Sequence, residues 1–265
     1  MLHLHLHTVY SLRDSLVKID ESFIEKLHKI KVSSVAITDH GNISGWVSFN
    51  NLCVSNNIKP IFGTEAYVVD EKDTKTRYHV VMLAQNDKGI ENIIKLNNKA
   101  YIDNFYFLPI LYPKDFTKET VEGIIFLSGC IKSIIYLPSF DDIFNIIADN
   151  FYLEIMFHNF KEQKKHNLEV INFANQRGLP IVITQDVHYL NKEDHEYHGL
   201  LMELSKRNRY EGNTYHMCSW NDVMKMYEDH TYIEKKDLFK IINTTYEVAN
   251  KCYASLKGVT YDNNS

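Results

Sequence analysis

The chain has 265 residues, 45% of them hydrophobic, and carries 29 Lys and Arg against 34 Asp and Glu, a formal net charge of −5 with 13 His left uncounted. This is ample apolar material for one large domain or two small ones, and it excludes the basic footprint of an ordinary nucleic-acid-binding protein. The Cys residues (Cys53, Cys130, Cys218, Cys252) are scattered with no C-x-x-C pair, which argues against a zinc finger or a disulfide framework and fits a reducing, cytoplasmic setting. We expect neither a signal peptide nor a transmembrane span.

In chain order, Leu2-His3-Leu4-His5-Leu6-His7 comes first. Its period of two predicts a strand with every imidazole on one face and every Leu on the other. Buried imidazoles need partners, and a metal ion supplies one. A chance His-rich tract is the competing reading, countered by further ligand-type residues downstream. Residues 8–18 form a loop holding Asp14. A helix follows, with Phe23, Leu27 and Ile30 on one face and Asp20 placed to cap it. Residues 34–38 read as an apolar strand that stops at Asp39-His40-Gly41, the position where α/β sheets carry chemistry. A helix over 44–55 ends at Asn56-Asn57. Residues 59–63 lead to Glu65 within a strand over 64–69. The charged run 70–77 reads as a solvated loop, and a strand over 78–84 has His79 near its start.

The alternation continues with a helix over 89–101 and a strand over 123–128 that ends at Gly129-Cys130. A strand over 151–155, a helix over 160–177 closed by Gly178, and a strand over 179–184 come next. That last strand runs into Gln185-Asp186-Val187-His188, with Asp186 and His188 sharing a face. From Lys192 onward, about 192–255, the chain reads as mostly helical and polar. There is no internal repeat and no linker, so we expect one α/β domain over 1–265 with a barrel-like parallel sheet.

The ligand-type residues at strand ends are His5, His7, Asp14, His40, Glu65, His79, Cys130, Asp186 and His188. Singly each is weak, since a lone His beside a strand is commonly a core or surface residue. Their recurrence at the ends of successive strands suits a cluster of two or three divalent ions such as manganese, zinc or iron, each taking four to six donors. Glu65 can bridge two ions, and Cys130 would bind as thiolate.

The segments 3–14, Ile37-Thr38-Asp39-His40-Gly41-Asn42, Gly63-Thr64-Glu65-Ala66-Tyr67, 79–84, Leu127-Ser128-Gly129-Cys130 and Asp186-Val187-His188-Tyr189-Leu190 together resemble the PHP (polymerase and histidinol phosphatase) family. The match is to the branch found at the N-terminus of bacterial replicative polymerases, to which 151–155 and 246–252 also conform. It covers nearly the whole chain. The resemblance implies a distorted seven-stranded (β/α) barrel with a trinuclear metal site at the C-terminal ends of its strands. It implies ligands at His5 and His7 with His3 an extra, structural member, and catalytic roles for Asp14, Glu65 and His188. Asp14 stands where many free-standing members have His. Met156-Phe157-His158-Asn159 and Lys132-Ser133 depart from the family pattern, which bears on the substrate rim more than on the metals.

Nothing in the chain resembles the aspartate motif of a polymerase palm, so no nucleotidyl transfer is expected of it. The resemblance implies a metal-dependent phosphoesterase, foremost a 3′–5′ exonuclease acting on DNA 3′ ends. Two alternatives are a phosphomonoesterase of histidinol-phosphatase type and a non-catalytic, metal-stabilised scaffold that docks other replication proteins. No membrane partner is expected.

Overall fold

Short apolar runs separated by amphipathic segments build the whole architecture. The computed structural model describes residues 1–256 apart from Lys72; positions 257–265 of the expected single domain lie outside the described residues. The strands are β1 (Ser34–Ile37), β2 (Lys59–Asp70), β3 (Asp73–Ala84), β4 (Ile110–Leu111), β5 (Ile124–Leu127), β6 (Phe151–Met156) and β7 (Ile181–Thr184). The helices are α1 (Glu21–Lys29), α2 (Trp46–Ser55), α3 (Asp87–Ile102), α4 (Phe140–Ile147), α5 (Lys161–Arg177), α6 (His195–Leu204), α7 (Trp220–Tyr227) and α8 (Lys235–Lys251). Asp20 caps α1, accepting from the Ser22 N–H.

The sheet runs β1-β2-β3-β5-β6-β7, with β4 paired to β2 off this path. The N-terminal run closes the ring. Its His3 carbonyl accepts from Ala36 N in β1, and its His7 N–H donates to the Val187 carbonyl just past β7. The result is a distorted (β/α) barrel. Its sheet is not all parallel: β3 is antiparallel to both β2 and β5. Of the expected solvated loop 70–77, Asp70 and residues 73–77 are therefore strand, the paired ends of β2 and β3.

Period-two alternation sorts side chains onto the two sheet faces. Ala36, Ile61, Val81, Leu83, Ile125, Leu127, Tyr152 and Val182 join Leu2 and Leu4 in one buried cluster inside the ring. Val248, Ala249 and Cys252, from α8 and the residue after it, complete that cluster and plug one end. The alternate residues, Val35, Ile37, Phe62, Val80, Met82, Phe126, Leu153 and Ile183, face outward in the larger cluster that includes the helices. The same inward phase reaches the other end of the barrel. From Ile61 it leads to Glu65, from Val81 back to His79, and from Tyr152 to Glu154. Because β3 is antiparallel, it is the start of that strand that stands at the open end.

The first run corrects the expected geometry. Leu2 and Leu4 lie inside the ring, whereas Leu6 packs outside. The chain bends at Leu4 and His5, and the alternation changes phase there. The three imidazoles thus do not share a face. His3 turns away and meets the Cys218 carbonyl at 3.1 Å.

Candidate metal centre

The open end of the barrel gathers side chains from every part of the ring. His5 and His7 come from the closing run, Asp14 from the loop after it, and His40 from beyond β1. Glu65 and His79 stand on β2 and β3, Cys130 follows β5, and Asp186 and His188 follow β7. The structure brings all nine together and leaves His3 out. Asp186 does not reach the group through strand register. Its backbone turns into the left-handed region, at φ 47°, two residues after β7 ends.

The spacing of the donors is informative. Two donors on one ion, each bound at 2.0–2.1 Å, stand roughly 3.0–3.4 Å apart. His5 Nε2 lies 3.1 Å from His7 Nε2, 3.3 Å from Glu65 Oε1 and 3.3 Å from Asp186 Oδ1. His7 Nε2 lies 3.0 Å from the same Asp186 oxygen. Glu65 Oε1 is 3.0 Å from His79 Nδ1, which is 3.5 Å from Cys130 Sγ. On the other side Asp14 Oδ2 is 2.9 Å from His40 Nε2 and 4.0 Å from His188 Nε2. Glu65 links the groups, since its Oε2 also stands 2.7 Å from His40 Nδ1. Three overlapping triads have all their donor atoms within 4.8 Å of one another: His5-His7-Glu65, His7-His40-His188 and His40-Glu65-His79.

The donors are held from behind. His5 Nδ1 meets Glu154 Oε1 at 2.8 Å, His7 Nδ1 meets Ser11 Oγ at 3.0 Å, and His188 Nδ1 meets the Asp186 carbonyl at 2.8 Å. With Nδ1 tied down behind, it is Nε2 that each of these rings turns toward the cluster. Ser11 in turn donates to Asp39 Oδ1 at 2.7 Å, and Asp39 is tied down by Thr8 N–H and Oγ1.

The electrostatics show what the cluster wants. Burial opposes charge on His5, but the carboxylates of Glu154, Asp186 and Glu65 outweigh it and hold this imidazole well above the usual histidine range. Burial also opposes charge on Glu65, yet His79, His5 and His40 keep its carboxyl well below the ordinary value. Protons on imidazoles thus stand in for positive charge between the carboxylates. His7 is driven down to about 3 by burial and then by the charges of His40 and His188. Burial, then the charges of Glu65 and Asp186, pushes the Cys130 thiol well up, so only a bound cation would make it a thiolate. Glu65 Oε2, Asp186 Oδ1 and His40 Nδ1 are buried without a hydrogen bond of good geometry. Orphaned donors aimed at one another, with mixed nitrogen, oxygen and sulfur chemistry, fit divalent transition-metal ions.

Sequence reasoning missed three members of the site. Glu154, fully buried, accepts from His5, from Thr184 Oγ1 at 2.5 Å and from Gly129 N at 2.8 Å. Its signal was available, as the one charge in the apolar strand Phe151–Met156. Arg207 and Tyr210 lie in the irregular segment after α6, and both contact Asp14 Oδ1, at 3.0 and 2.9 Å. No local pattern marks either of them.

A family model described as PHP domain matches residues 3–158. DNA polymerase III subunit alpha of Borreliella burgdorferi is 31% identical over 95% of this chain and 23% of its own length. The subunits of Aquifex aeolicus and Helicobacter pylori are 34% and 30% identical, over 78% and 94% of this chain and 20% and 23% of theirs. The chain therefore spans about a fifth to a quarter of the length of these relatives. A solved two-domain protein from Bacteroides vulgatus, which contains a predicted PHP-like metal-dependent phosphoesterase, aligns at TM-score 0.47 and 15% identity over 71% of this chain and 51% of that one. Among the described residues no helix is long and apolar enough to cross a membrane.

Proposed function

The chain belongs to the PHP domain family, and from that premise we propose that it is a metal-dependent phosphoesterase that hydrolyses phosphodiesters at DNA 3′ ends in a cytoplasmic replication setting. The observation that carries this reading is the chain of nine donors, each within 4.0 Å of another, with orphaned Glu65 and Asp186 oxygens among them. His5, His7, Glu65 and Asp186 would hold one divalent ion, Glu65, His79 and Cys130 a second, and Asp14, His40 and His188 a third. The nitrogen-rich donors favour manganese, zinc or iron over magnesium. Bound ions would supply Lewis acidity, an activated water and neutralisation of charge on the phosphoryl oxygens.

The protein's own part is to aim and tune. Glu154, Ser11 and the Asp186 carbonyl fix the three imidazoles so that their Nε2 atoms face inward. Tyr210 shares its hydroxyl between Asp14 Oδ1 and, at 3.4 Å, His188 Nε2. Burial, then Asp14 and Asp186, holds that hydroxyl protonated well above the ordinary tyrosine range, so it donates at neutral pH. Arg207 takes up the remaining charge of Asp14 and, half-exposed at the mouth, presents further N–H groups to an incoming phosphate. The relatives are replicative polymerase subunits, which favours DNA over a small metabolite.

The test is cleavage of labelled single-stranded DNA beside a chromogenic phosphate monoester, across manganese, zinc and magnesium. DNA shortened from its 3′ end supports the reading. Turnover of the monoester alone would move the protein to the histidinol-phosphatase type. Full metal loading with neither activity would make it a scaffold.

A further inference from the structure

Beside the cluster lies an aromatic surface that the site itself does not use. At the end of α3 and in the loop that leads to β4 the chain exposes Tyr101, Phe105, Tyr106 and Phe107, the last to 78%. Tyr101 and Phe105 stack at 6.1 Å, and Tyr106 and Phe107 meet edge-on at 4.8 Å. Phe107 sits at φ 60°, a left-handed conformation that a bulky residue adopts only when its surroundings impose it. Here the Tyr106 N–H donates to the Leu108 carbonyl at 3.0 Å, and Arg77 Nη2 donates to the Tyr106 carbonyl at 3.5 Å. The strained backbone holds the ring out in solvent rather than letting it fold down.

The loop is continuous with the metal centre. Leu108 packs against the cluster of Tyr67, Val69 and Ile110, and the Tyr67 ring stacks on His40 and meets His79 edge-on. Pro109 lies so close to Gly41, the neighbour of His40, that a Cβ there would come within 2.8 Å of Pro109 Cγ. Two extended residues, at most roughly 7 Å of chain, separate Phe107 from that contact. The aromatic faces therefore stand within a few nucleotides of the cluster. Arg77, with a buried Nε that has no hydrogen-bond partner, adds a cation beside them. Flat, sequence-tolerant π surfaces with a neighbouring guanidinium are what unpaired bases and their backbone need.

We propose that the loop joining α3 to β4 is a stacking platform for the unpaired bases of a single DNA strand whose scissile phosphodiester lies at the metal centre. This rests on the phosphodiesterase reading above and names its substrate as single-stranded. The experiment compares the wild-type chain with Phe105→Ala/Phe107→Ala and with Phe107→Trp, on a 5′-labelled oligothymidylate and on bis(p-nitrophenyl) phosphate. Melting curves and metal content confirm that each variant is folded and loaded. Loss of one stacked base at the lower end of the usual range is about fivefold. The double variant should lose at least that much more kcat/KM on the oligonucleotide than on the small diester, through KM, and Phe107→Trp, which keeps a stacking face at that position, should stay at or above the wild-type value. Equal losses on both substrates would overturn the proposal and make the loop a support of the centre. If the wild type cleaves neither substrate, the phosphodiesterase reading fails by itself, and fluorescence anisotropy of the oligonucleotide in chelator decides the platform separately. Equal affinity of the wild type and the double variant there would overturn it and leave the aromatic surface to a protein partner.

Discussion

Glu154 offers the sharpest test of how the centre is organised. It accepts three hydrogen bonds in a fully buried position, from His5 Nδ1, Thr184 Oγ1 and Gly129 N. Glu154→Ala would strand all three donors and remove the charge that faces His5. Breaking a buried charged pair in this way costs about 3–5 kcal/mol. At roughly 2–4 °C per kcal/mol for a domain of this size, the melting temperature should fall by about 10 °C even in chelator. Glu154→Gln keeps the shape but cannot satisfy all three donors. With its oxygen toward His5, its NH2 group confronts Gly129 N–H. With the amide flipped, His5 Nδ1 must accept, its proton moves to Nε2, and the lone pair facing Glu65 and Asp186 is lost. Loss of such a supporting carboxylate lowers metal affinity by about 10–100-fold. Competition titration with a metallochromic chelator reads this directly. A Glu154→Gln protein with wild-type metal affinity would show that His5 needs no orienting partner, and the assignment of its Nε2 to the cluster would fall with it.

Elemental analysis after loading with manganese or zinc should find two to three ions per chain, and chelation should lower the melting temperature, because ions that bind only the folded chain stabilise it by mass action; less than one ion per chain would refute this. His7→Ala and Glu65→Gln should each cut phosphodiester cleavage at least about tenfold, whereas His3→Ala, whose ring meets only the Cys218 carbonyl among the described contacts, should stay near wild type; a His3 variant as inactive as the His7 variant would place the register wrongly. Gly129→Ala should damage both fold and metal binding, since φ is 84° and an added Cβ would stand 2.5 Å from the His79 carbonyl oxygen; wild-type metal content in this variant would count against the described turn. Burial holds the His166 and His230 imidazoles down at about 4, so the folded chain keeps them neutral while the unfolded chain takes up protons below about 6.5. Their contribution is complete above about pH 6.5 and is lost as pH falls toward 4, by up to about 1.4 kcal/mol per pH unit for each group; melts of chelated protein that do not shift over that range would refute it.

What could be read from the sequence depended on whether a residue sits in a periodic segment. His40 and Cys130 lie just past an apolar run, His79 just ahead of one and Glu65 within β2, and alternation from Ile61 or Val81 carries Glu65 and His79 inward without further information. Glu154 obeys the same rule from Tyr152; a lone carboxylate in Phe151–Met156 has no reason to be there unless something buried holds it. Alternation misled at the first run, because its neighbours on two sides set the backbone: Ala36 bonds the His3 carbonyl while Val187 bonds His5 and His7. Serving both ladders bends the chain at Leu4 and His5 and turns His3 away. The strand ends within 70–77 looked like a loop because the charged residues on them have the composition of one. Arg207 and Tyr210 were beyond reach altogether, since they find Asp14 across some 190 residues of chain from a segment with no periodicity. The division has a physical origin. Glu65, His79 and Glu154 ride on regular strand, where alternation fixes the side they face, whereas Arg207 and Tyr210 come from irregular chain that has no such rule. It follows that a variant at Arg207 or Phe107 will say more about what this centre acts on than any variant of a donor.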